Sequence, residues 1–527
     1  MSKSVLWPLA LWCVSCASDA PDNEASTAVP AALTPHQEAA EIDIGATDPF
    51  VEAISWHRWP PPSPASALAS ESEDKPILIY LAAPGCDGLF ANAGSALQML
   101  VEERFIPIRV NPFHHPHVAR RYGNAGWPAL AVLHPDGRLI SSATDIPLRN
   151  VRIFLRQTLK HLGERRQTIE SKLRRATAAP AAGKPITPGS LFAAIAADFD
   201  TLHGGFGTSA KFPEPLVLQF LVEYGVRRGD EAALDLARRS LDALLKSPVW
   251  DDKNGGTFIY SLTRDWLTPV YEKDSLDQAA LLRTLIDMID QAKGGSAPSL
   301  DQQSLYEQRA RQLLSSCLSS ELYDEKRGVY AGRRLQLADG TWWTDPAVYA
   351  DRNGLAISTA LRAAAVLDDE ASALKALAAA RFLMANSIGE EGEVVHCLNG
   401  GDVLAPGLLA DQFLVALALK SAFKWSGESE FASAAAAVQS WAEANLLDPA
   451  SGSFHDSRQP PTAGAGWRSI LSFADGNRAA DNVIAARLYA GEKEMARAAD
   501  ILNRAVVPAA GRSFASLGTT LLRLEGR

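Results

Sequence analysis

Residues 199–207 read FDTLHGGFG, an aspartate followed by a short polar stretch, glycine and an aromatic residue. The same order returns further along the chain, in WDDKNGGTF (250–258), YDEKRGVY (323–330) and LDPASGSF (447–454), with a weaker copy in GEEGEVV (389–395). The leading glycines recur roughly every 50 to 70 residues, a period that fits two helices and a turn. The second part of the chain is therefore predicted to be an array of helical hairpins.

Amphipathic stretches occupy the segments between these loops and supply the two helices of each hairpin. We predict the pairs 215–228 with 230–246, 273–292 with 301–319, 351–367 with 370–386, 408–426 with 428–445, and 479–490 with 492–506. Segments 189–200 and 514–524 would pair across the termini as a sixth hairpin. Six hairpins that close on themselves form an all-α (α/α)6 toroid, in which the loops at one end line a pocket.

The preceding part of the chain, residues 76–162, alternates strand and helix signals. The apolar runs PILIYLAA (76–83) and FIPIRV (105–110) indicate buried strands, and a helix over 88–102 would connect them in parallel. A closing amphipathic helix is predicted over 147–162.

The sequence HPDG at 134–137 is typical of a turn, so residues 129–133 and 138–142 should form an antiparallel hairpin. The resulting order βαβαββα is that of an α/β thioredoxin-like domain. Trp127 and Pro128 stand directly before the hairpin, where that fold places a cis-proline.

The stretch AAPGCDGLF (82–90) carries Cys86 at the position where thiol chemistry is usually found in this fold. A dithiol site needs a second cysteine to resolve the mixed disulfide, and that position is Leu89. Asp87 places a negative charge beside the thiol and opposes thiolate formation. The sequence therefore excludes dithiol exchange within this domain and favours a structural or vestigial Cys86, and a monothiol reaction stays open.

The N-terminus carries a short apolar run, VLWPLALWCVSC, that is too short to span a bilayer and suits an export signal. The residues before Cys16 loosely resemble the lipobox of bacterial lipoproteins, which predicts an acylated Cys16 and a location in the cell envelope or periplasm; a plain secretory signal is the alternative. The domain boundaries are then 1–16 for the signal, 17–49 for a disordered tether, 50–165 for the thioredoxin-like domain lacking Cys-x-x-Cys, 166–188 for a linker and 189–527 for the helical domain.

The formal net charge of −10 excludes the basic footprint that nucleic-acid binding requires. The histidines are scattered, and the cluster His114, His115 and His117 is interrupted by prolines, which favours a solvated loop over a metal site. We therefore expect no metal, no cofactor, no nucleic-acid partner, and membrane contact only through the N-terminal anchor.

Several motifs resemble those of the YyaL-type family, which includes the spermatogenesis-associated thioredoxin-domain proteins. They are SWHRW (55–59), DKPI (74–77), GWPALAVLHPDGR (126–138), HGGFGTSAKFPEP (203–215), DWLTPVYEKDSLDQAAL (265–281) and ADQ (410–412). The resemblance implies a thioredoxin-like domain followed by a six-hairpin-glycosidase-like toroid related to N-acylglucosamine 2-epimerases and glycosidases. The chain departs from the family at CDGLF, where Cys-His-Trp-Cys-His is usual, and at Val270 and Tyr271, where histidine and an aromatic residue are expected.

Polar residues at the starts of the inner helices are predicted to converge near the axis of the toroid. Sugar chemistry needs paired carboxylates, a stacking surface and groups that hold hydroxyls, so we assign acid/base roles to Glu272 and Asp411, stacking to Trp266 and orientation to Arg352. The remaining predicted substrate-binding residues are Phe206, Lys211, Arg264, Lys273, Asp277, Asp351, Asn353, Gln412 and Asn482. For each of them singly, helix capping or loop packing is the alternative.

Three functions are compatible with these residues. The first is an envelope protein that binds or processes a carbohydrate in the toroid, with a redox-inactive thioredoxin-like domain. The second is a non-catalytic interaction or scaffold protein. The third is a monothiol redox protein that uses Cys86.

Overall fold

The computed structural model describes residues 54–58, 75–84, 88–90, 93–122, 127–134, 139–164, 187–292, 299–337, 339–449, 452–458, 515 and 519–522. The predicted export signal and tether lie outside these residues, as do Cys16, Cys86, Asn482 and the helix pair 479–490 with 492–506.

The N-terminal unit is a five-stranded mixed sheet with helices. Its strands are β1 (His57–Arg58), β2 (Ile77–Leu81), β3 (Ile106–Val110), β4 (Ala129–Leu133) and β5 (Leu139–Thr144), in the order β1-β3-β2-β4-β5. Strands β1, β3 and β2 are parallel, whereas β4 is antiparallel to β2 and to β5. The predicted parallel strands and the predicted hairpin are confirmed.

Three helices complete this unit: α1 (Ser95–Arg104), α2 (Pro116–Tyr122) and α3 (Leu148–Glu164). The helix predicted over 88–102 begins at Ser95 instead, after a single 3₁₀ turn at Gly88–Phe90. Gly94 occupies the N-cap position in an extended conformation, and glycine is a poor residue for a helix interior. The Trp127–Pro128 peptide bond is cis, at the position that the sequence indicates.

Alternation along β2 sends its side chains to two different cores. Leu78 and Tyr80 pack in the same core as Val151 of α3, on one face of the sheet. Ile77 and Ile79 point to the other face, where their core includes residues of α2 and also Ala347, Tyr349 and Cys397 of the helical unit. The second face of the sheet is therefore the docking face for the rest of the chain.

The helical unit consists of successive antiparallel hairpins. Its helices are α4 (Pro188–Ala197), α5 (Pro215–Arg228), α6 (Glu231–Leu245), α7 (Ser275–Ala292), α8 (Leu300–Arg311, continued by a π-helical segment Gln312–Glu321), α9 (Ala350–Leu367), α10 (Glu370–Asn386), α11 (Leu409–Ser426) and α12 (Ser429–Leu446). The inner helices α5, α7, α9 and α11 pack side by side in chain order, each with its own outer helix. Four of the predicted hairpins are confirmed within the described residues.

Short strands join the helices. They are β6 (Tyr260–Ser261), β7 (Pro269–Val270), β8 (Glu272–Asp274), β9 (Tyr323–Asp324), β10 (Val329–Tyr330), β11 (Arg333–Gln336), β12 (Trp342–Thr344), β13 (Val348–Tyr349), β14 (Val395–Asn399) and β15 (Asp402–Pro406). Two small sheets, β12-β11-β8 and β13-β14-β15, lie at the ends where α7, α9 and α11 begin.

The repeated loops share one hydrogen-bonding pattern. In the first copy the Asp200 carboxylate accepts from the Leu202 and His203 amides, while the Gly204 amide donates to the Asp200 carbonyl at 2.9 Å. The copies that begin at Asp251, Asp324 and Asp448 repeat the backbone bond from the glycine four residues later. Gly204 has φ of +71°, a conformation that favours glycine, so the pattern of aspartate and glycine follows from the turn itself.

Among the helices of the described segments, none combines the length and the apolar character that a bilayer span requires.

Candidate functional site

A layer of charged side chains lies at the ends of α7, α9 and α11 that face the N-terminal unit. We call it the interface cluster, and its members are Glu272, Asp274, Asp277, Arg333, Asp345, Asp351, Arg352, His396 and Asp411. All of them are buried except Asp277, which keeps some accessible surface. Strands β8, β11 and β14, the turn before β13 and the first turns of the three helices supply these residues, so the hairpin repeat itself brings them together.

Arg352 connects two of the helical hairpins. Its Nη2 donates to Asp274 Oδ2 at 2.9 Å, and its Nη1 lies 3.3 and 3.2 Å from the two Asp351 oxygens. Burial lowers the pKa of Arg352, but the Asp274 and Asp351 carboxylates raise it by more. Arg352 therefore stays charged and holds two carboxylates in fixed positions.

Two other carboxyl groups of the cluster favour the protonated form. Burial raises the pKa of Glu272, and the guanidinium of Arg333, whose Nε is 3.4 Å from Glu272 Oε1, opposes this rise only in part. Burial also raises the pKa of Asp277 well above its usual range, and the nearby Asp274 carboxylate adds to the effect. Carboxyl groups that burial shifts towards the protonated form therefore lie beside the two carboxylates that Arg352 holds.

His396 pairs with Asp411 across the strand–helix junction. Its Nδ1 lies 3.0 Å from both carboxylate oxygens, and its Nε2 lies 2.8 Å from the Phe113 carbonyl oxygen. A carbonyl oxygen only accepts, so Nε2 carries a hydrogen. Burial lowers the pKa of His396, but the Asp411 and Asp351 carboxylates and the hydrogen bonds to Asp411 and Phe113 together raise it by more. Asp411 is therefore engaged by an imidazole, and this pairing weakens its predicted role as a free acid or base.

The N-terminal unit covers the cluster with the segment that follows β3. The Phe113 ring is 1% exposed and lies 4.4 Å from the Arg333 guanidinium and 5.2 Å from that of Arg352. Arg333 Nη2 also donates to the Pro84 carbonyl at 2.8 Å. The contact between the two units thus includes two arginines of the helical unit and two segments of the sheet unit, one after β2 and one after β3, beside the shared apolar core.

The interpretation of the histidine-rich segment as a solvated loop is wrong. His115 is 5% exposed, and burial lowers the pKa of His114 to about 4. These histidines lie at the junction of the two units, which sequence patterns within either unit do not reveal.

A small cavity lies beside the His396–Asp411 pair. Its lining residues are Pro116, His117, Asp351, His396, Leu408, Ala410, Asp411 and Asp456. The volume open to the centre of a water molecule is ≈ 10 Å³, which is room for about one water. Pockets for small organic ligands measure roughly 300–1,000 Å³, so this cavity does not accommodate a sugar.

Other predicted site residues hold the repeated loops in place. Lys211 is fully buried, with its Nζ 2.8 Å from Asp200 Oδ2 and 2.6 Å from the Gly207 carbonyl. Arg264 donates to both oxygens of Asp200, at 2.7 and 2.9 Å. Phe206 packs edge to face against Phe199. The structure places these three residues at the first loop and not in the interface cluster.

Lys273 holds the second repeated loop in the same way as Lys211 holds the first. Its Nζ donates to Asp251 at 2.6 Å and to the Gly255 carbonyl at 2.9 Å, and it also pairs with Glu321. Trp266 is 3% exposed, and its Nε1 donates to the His203 carbonyl at 3.1 Å. The stacking role predicted for Trp266 does not fit this position, because its ring belongs to the hydrophobic core.

Asn353 and Gln412 are clamps between a helix and the preceding loop. Asn353 exchanges two hydrogen bonds of 2.9 Å with the backbone of Tyr330. In the orientation that satisfies both ends of its amide, Gln412 accepts from the Val394 amide at 2.7 Å. Sequence reasoning missed Gln278, which bonds the Thr257 backbone in the same way.

All three clamps occupy the fourth residue of their helix, and the residue before each clamp belongs to the interface cluster. These preceding residues are Asp277, Arg352 and Asp411. In the sequence these pairs of residues read Asp-Gln at 277–278, Arg-Asn at 352–353 and Asp-Gln at 411–412. A further pair, Asp-Asn at 481–482, lies outside the described residues. Sequence reasoning also missed Asp274, Arg333, Asp345 and His396. Three of them come from short strands and Asp345 from the turn between two strands, and no helical periodicity marks them.

The fold and the site define a class: an α/β unit docked on the open end of an array of helical hairpins, with a buried charged layer between them. No family model matches the chain. The chain is 24% identical over 267 residues to the uncharacterized protein B0495.5 of Caenorhabditis elegans, a match that covers 44% of this chain and 36% of that protein. It is 24% identical over 264 residues to spermatogenesis-associated protein 20 of Homo sapiens, covering 43% and 33%. The match spans about a third of the length of these relatives.

The predicted resemblance to the spermatogenesis-associated proteins is confirmed by these similarities. Two solved structures are similar to part of this chain. A D-mannose isomerase is 12% identical with a TM-score of 0.48, covering 64% of this chain and 96% of that chain. The cellobiose 2-epimerase of Spirochaeta thermophila is 14% identical with a TM-score of 0.49, covering 64% and 95%.

Proposed function

We propose that this chain binds or processes a carbohydrate at the interface cluster, as an exported protein of the cell envelope with a lipid anchor at Cys16. In this proposal the helical unit is an (α/α)6 toroid, and the N-terminal unit is a thioredoxin-like domain without dithiol activity. The observation that carries the proposal is the position of Glu272 and Asp277, whose pKa values burial raises, beside the two carboxylates that Arg352 holds.

Sugar chemistry uses such a pairing of acid and base. A protonated carboxyl group donates its hydrogen to a departing or ring oxygen, while a carboxylate accepts a proton or stabilises positive charge at the anomeric carbon. Glu272 suits the first role because burial raises the pKa of its carboxyl group. Asp274 suits the second, since its Oδ2 accepts a hydrogen bond of 2.9 Å from Arg352. The acid role thus stays with Glu272, and Asp274 replaces Asp411 as its partner.

A sugar reaches this cluster only when the N-terminal unit moves away. Phe113 and the segment after β3 occupy the space in which a ring would bind, and the remaining cavity has room for about one water. The proposal therefore includes an open arrangement in which the loop around Phe113 leaves Arg333 and Arg352.

A scaffold protein is the second candidate, and the small cavity favours it. In this alternative the interface cluster is a permanent joint between the two units, and its carboxyl groups serve only to fix their orientation. The monothiol candidate rests on Cys86, which the structure does not describe.

The test is the thermal stability of the full chain with a panel of mono- and oligosaccharides. A ligand that binds the folded state raises the melting temperature by mass action. We expect a shift with one sugar class in the wild type and in Glu272→Gln, and product formation only in the wild type. Glu393→Gln is the matched control, because Glu393 lies outside the cluster and pairs with Arg458.

The Phe113→Ala variant separates the two candidates. Removal of the ring loosens the cover, so a carbohydrate site should gain affinity for sugar in this variant. If neither the wild type nor Phe113→Ala responds to any sugar, the carbohydrate proposal fails and the scaffold candidate stands.

A further inference from the structure

Three metal-ligand side chains meet at the junction of the two units. They are Asp351 in the first turn of α9, His396 on β14 and Asp411 in the first turn of α11. One ligand atom of each lies within 4.8 Å of the others, and all three residues are buried. Histidine and carboxylate together are a common ligand set for first-row transition metals.

The orientation of His396 is that of a metal-bound histidine. Its Nε2–H is held by the Phe113 carbonyl at 2.8 Å, so Nδ1 faces Asp411 with both oxygens at 3.0 Å. A ligating histidine usually donates its other ring N–H to a carbonyl or carboxylate, which fixes the ring and the tautomer. Here that support comes from the other unit of the protein.

The cavity supplies a second, independent observation. Asp351, His396 and Asp411 all line it, together with His117 from the N-terminal unit and Asp456 from the loop after α12. Its ≈ 10 Å³ for the centre of a water molecule matches one small ion or one water. The space that these donors enclose is therefore of ionic size and too small for an organic ligand.

We propose that Asp351, His396 Nδ1 and Asp411 bind a divalent transition-metal ion at the junction of the two units. In the tetrahedral geometry of Zn²⁺, bonds of about 2.0–2.2 Å place the donors about 3.3–3.6 Å apart, so a pair that stands near 4.8 Å closes by about 1 Å when the ion binds. Zn²⁺ or Mn²⁺ fits this mixed set, whereas Mg²⁺ and Ca²⁺ prefer oxygen ligands alone. The inference is independent of the carbohydrate proposal, and it reverses the expectation from sequence that no metal binds.

The experiment uses the full chain after dialysis against a chelator. Calorimetric titration with Zn²⁺ should show one equivalent bound, and Co²⁺ should give a visible absorption band from an ordered nitrogen and oxygen site. Asp351→Asn and Asp411→Asn should each weaken Zn²⁺ binding by at least about tenfold. Asp345→Asn is the matched control, since Asp345 is buried in the same cluster and bonds Tyr349 outside the cavity.

Several outcomes would overturn the proposal. It is wrong if the wild type takes up no Zn²⁺ or Mn²⁺ and gives no Co²⁺ band. It is also wrong if Asp351→Asn and Asp411→Asn bind Zn²⁺ as well as the Asp345→Asn control does. Binding of Ca²⁺ and Mg²⁺ in preference to Zn²⁺ excludes ligation by His396. If a ligand variant fails to fold by circular dichroism, the Co²⁺ spectrum of the wild type still decides whether an imidazole-containing site exists.

Discussion

Replacement of Phe113 by alanine tests the docking of the two units most directly. The ring is 1% exposed and contacts Arg333 at 4.4 Å and Arg352 at 5.2 Å, both in the helical unit. Within its own unit it lies edge to face with Trp127, at 5.5 Å between centroids. The ring therefore belongs both to the core of its own unit and to the contact with the helical unit.

The size of the effect follows from two contributions that overlap. Truncation of a buried phenylalanine costs about 3–5 kcal/mol, and a desolvated cation–π contact contributes about 2 kcal/mol. Both figures describe one side chain and do not add. We expect Phe113→Ala to cost about 4 kcal/mol.

Urea unfolding followed by tryptophan fluorescence measures this loss, and limited proteolysis reports whether the two units separate. Phe105→Ala is the matched control, because Phe105 is fully buried in the core on the opposite face of the sheet. We expect Phe113→Ala to separate the unfolding of the two units and to make the segment after β3 more accessible to protease. If both variants give the same unfolding profile and the same cleavage, Phe113 only fills the core of its own unit and the reasoning is refuted.

Three further predictions concern the helical unit. Asp200→Asn removes the charge that faces fully buried Lys211 and should cost about 3–5 kcal/mol. Hydrogen bonds from Arg264 and Lys211 hold the pKa of Asp200 below its ordinary value of 3.8 despite burial, so its stabilising contribution is complete above that pH and is lost as pH falls below it. When the free energy of unfolding is measured against pH, the stability that the wild type loses in acid through Asp200 should be absent from Asp200→Asn. The same dependence on acid pH in both proteins would contradict the assignment. Gly392→Ala places a Cβ 2.5 Å from the Ala437 carbonyl oxygen at φ of +96°, whereas the Cβ of Gly400→Ala, at φ of +59°, meets nothing within 4 Å. The left-handed backbone costs both variants about 1–2 kcal/mol, so thermal unfolding should show a larger loss of stability for Gly392→Ala. Equal losses would show that α12 shifts to relieve the clash. Burial raises the pKa of Cys317 to about 12, so a thiol reagent at about pH 8 should modify this residue only after denaturation. Fast labelling of Cys317 in the native protein would contradict its burial.

Helical periodicity was sufficient to predict the hairpins, because each helix must turn an apolar face to its neighbours. The four described pairs begin and end within a few residues of their predicted limits. The first helix of the N-terminal unit was placed too early, since the glycines at 88 and 94 interrupt a stretch whose other residues favour helix.

The site was only half predictable. Glu272, Asp277, Asp351, Arg352 and Asp411 were found because helix starts in a toroid converge. Lys211, Arg264 and Lys273 were assigned to the same place, although a lysine or arginine near a loop aspartate pairs with that aspartate first. His396 and Phe113 were missed because their roles depend on how two separate units dock, and composition or spacing within one unit does not encode that contact.

The repeat also indicates which helix positions can be substituted to change the charge of the site without damage to the fold. The fourth residue of α7, α9 and α11 is an amide that bonds the backbone of the preceding loop, as Asn353 bonds both the N–H and the C=O of Tyr330. The third residue of these helices does not bond the loop backbone in this way. It faces the junction, where it is Asp277, Arg352 or Asp411. An exchange at the fourth position therefore damages the fold, whereas an exchange at the third changes charge at the site. Asn353→Asp should destabilise the chain, since a carboxylate cannot donate to the Tyr330 carbonyl. Asp277→Asn should leave stability nearly unchanged while it removes one acid from the cluster. If unfolding experiments give the reverse order, the separation of scaffold and site along the repeat is wrong.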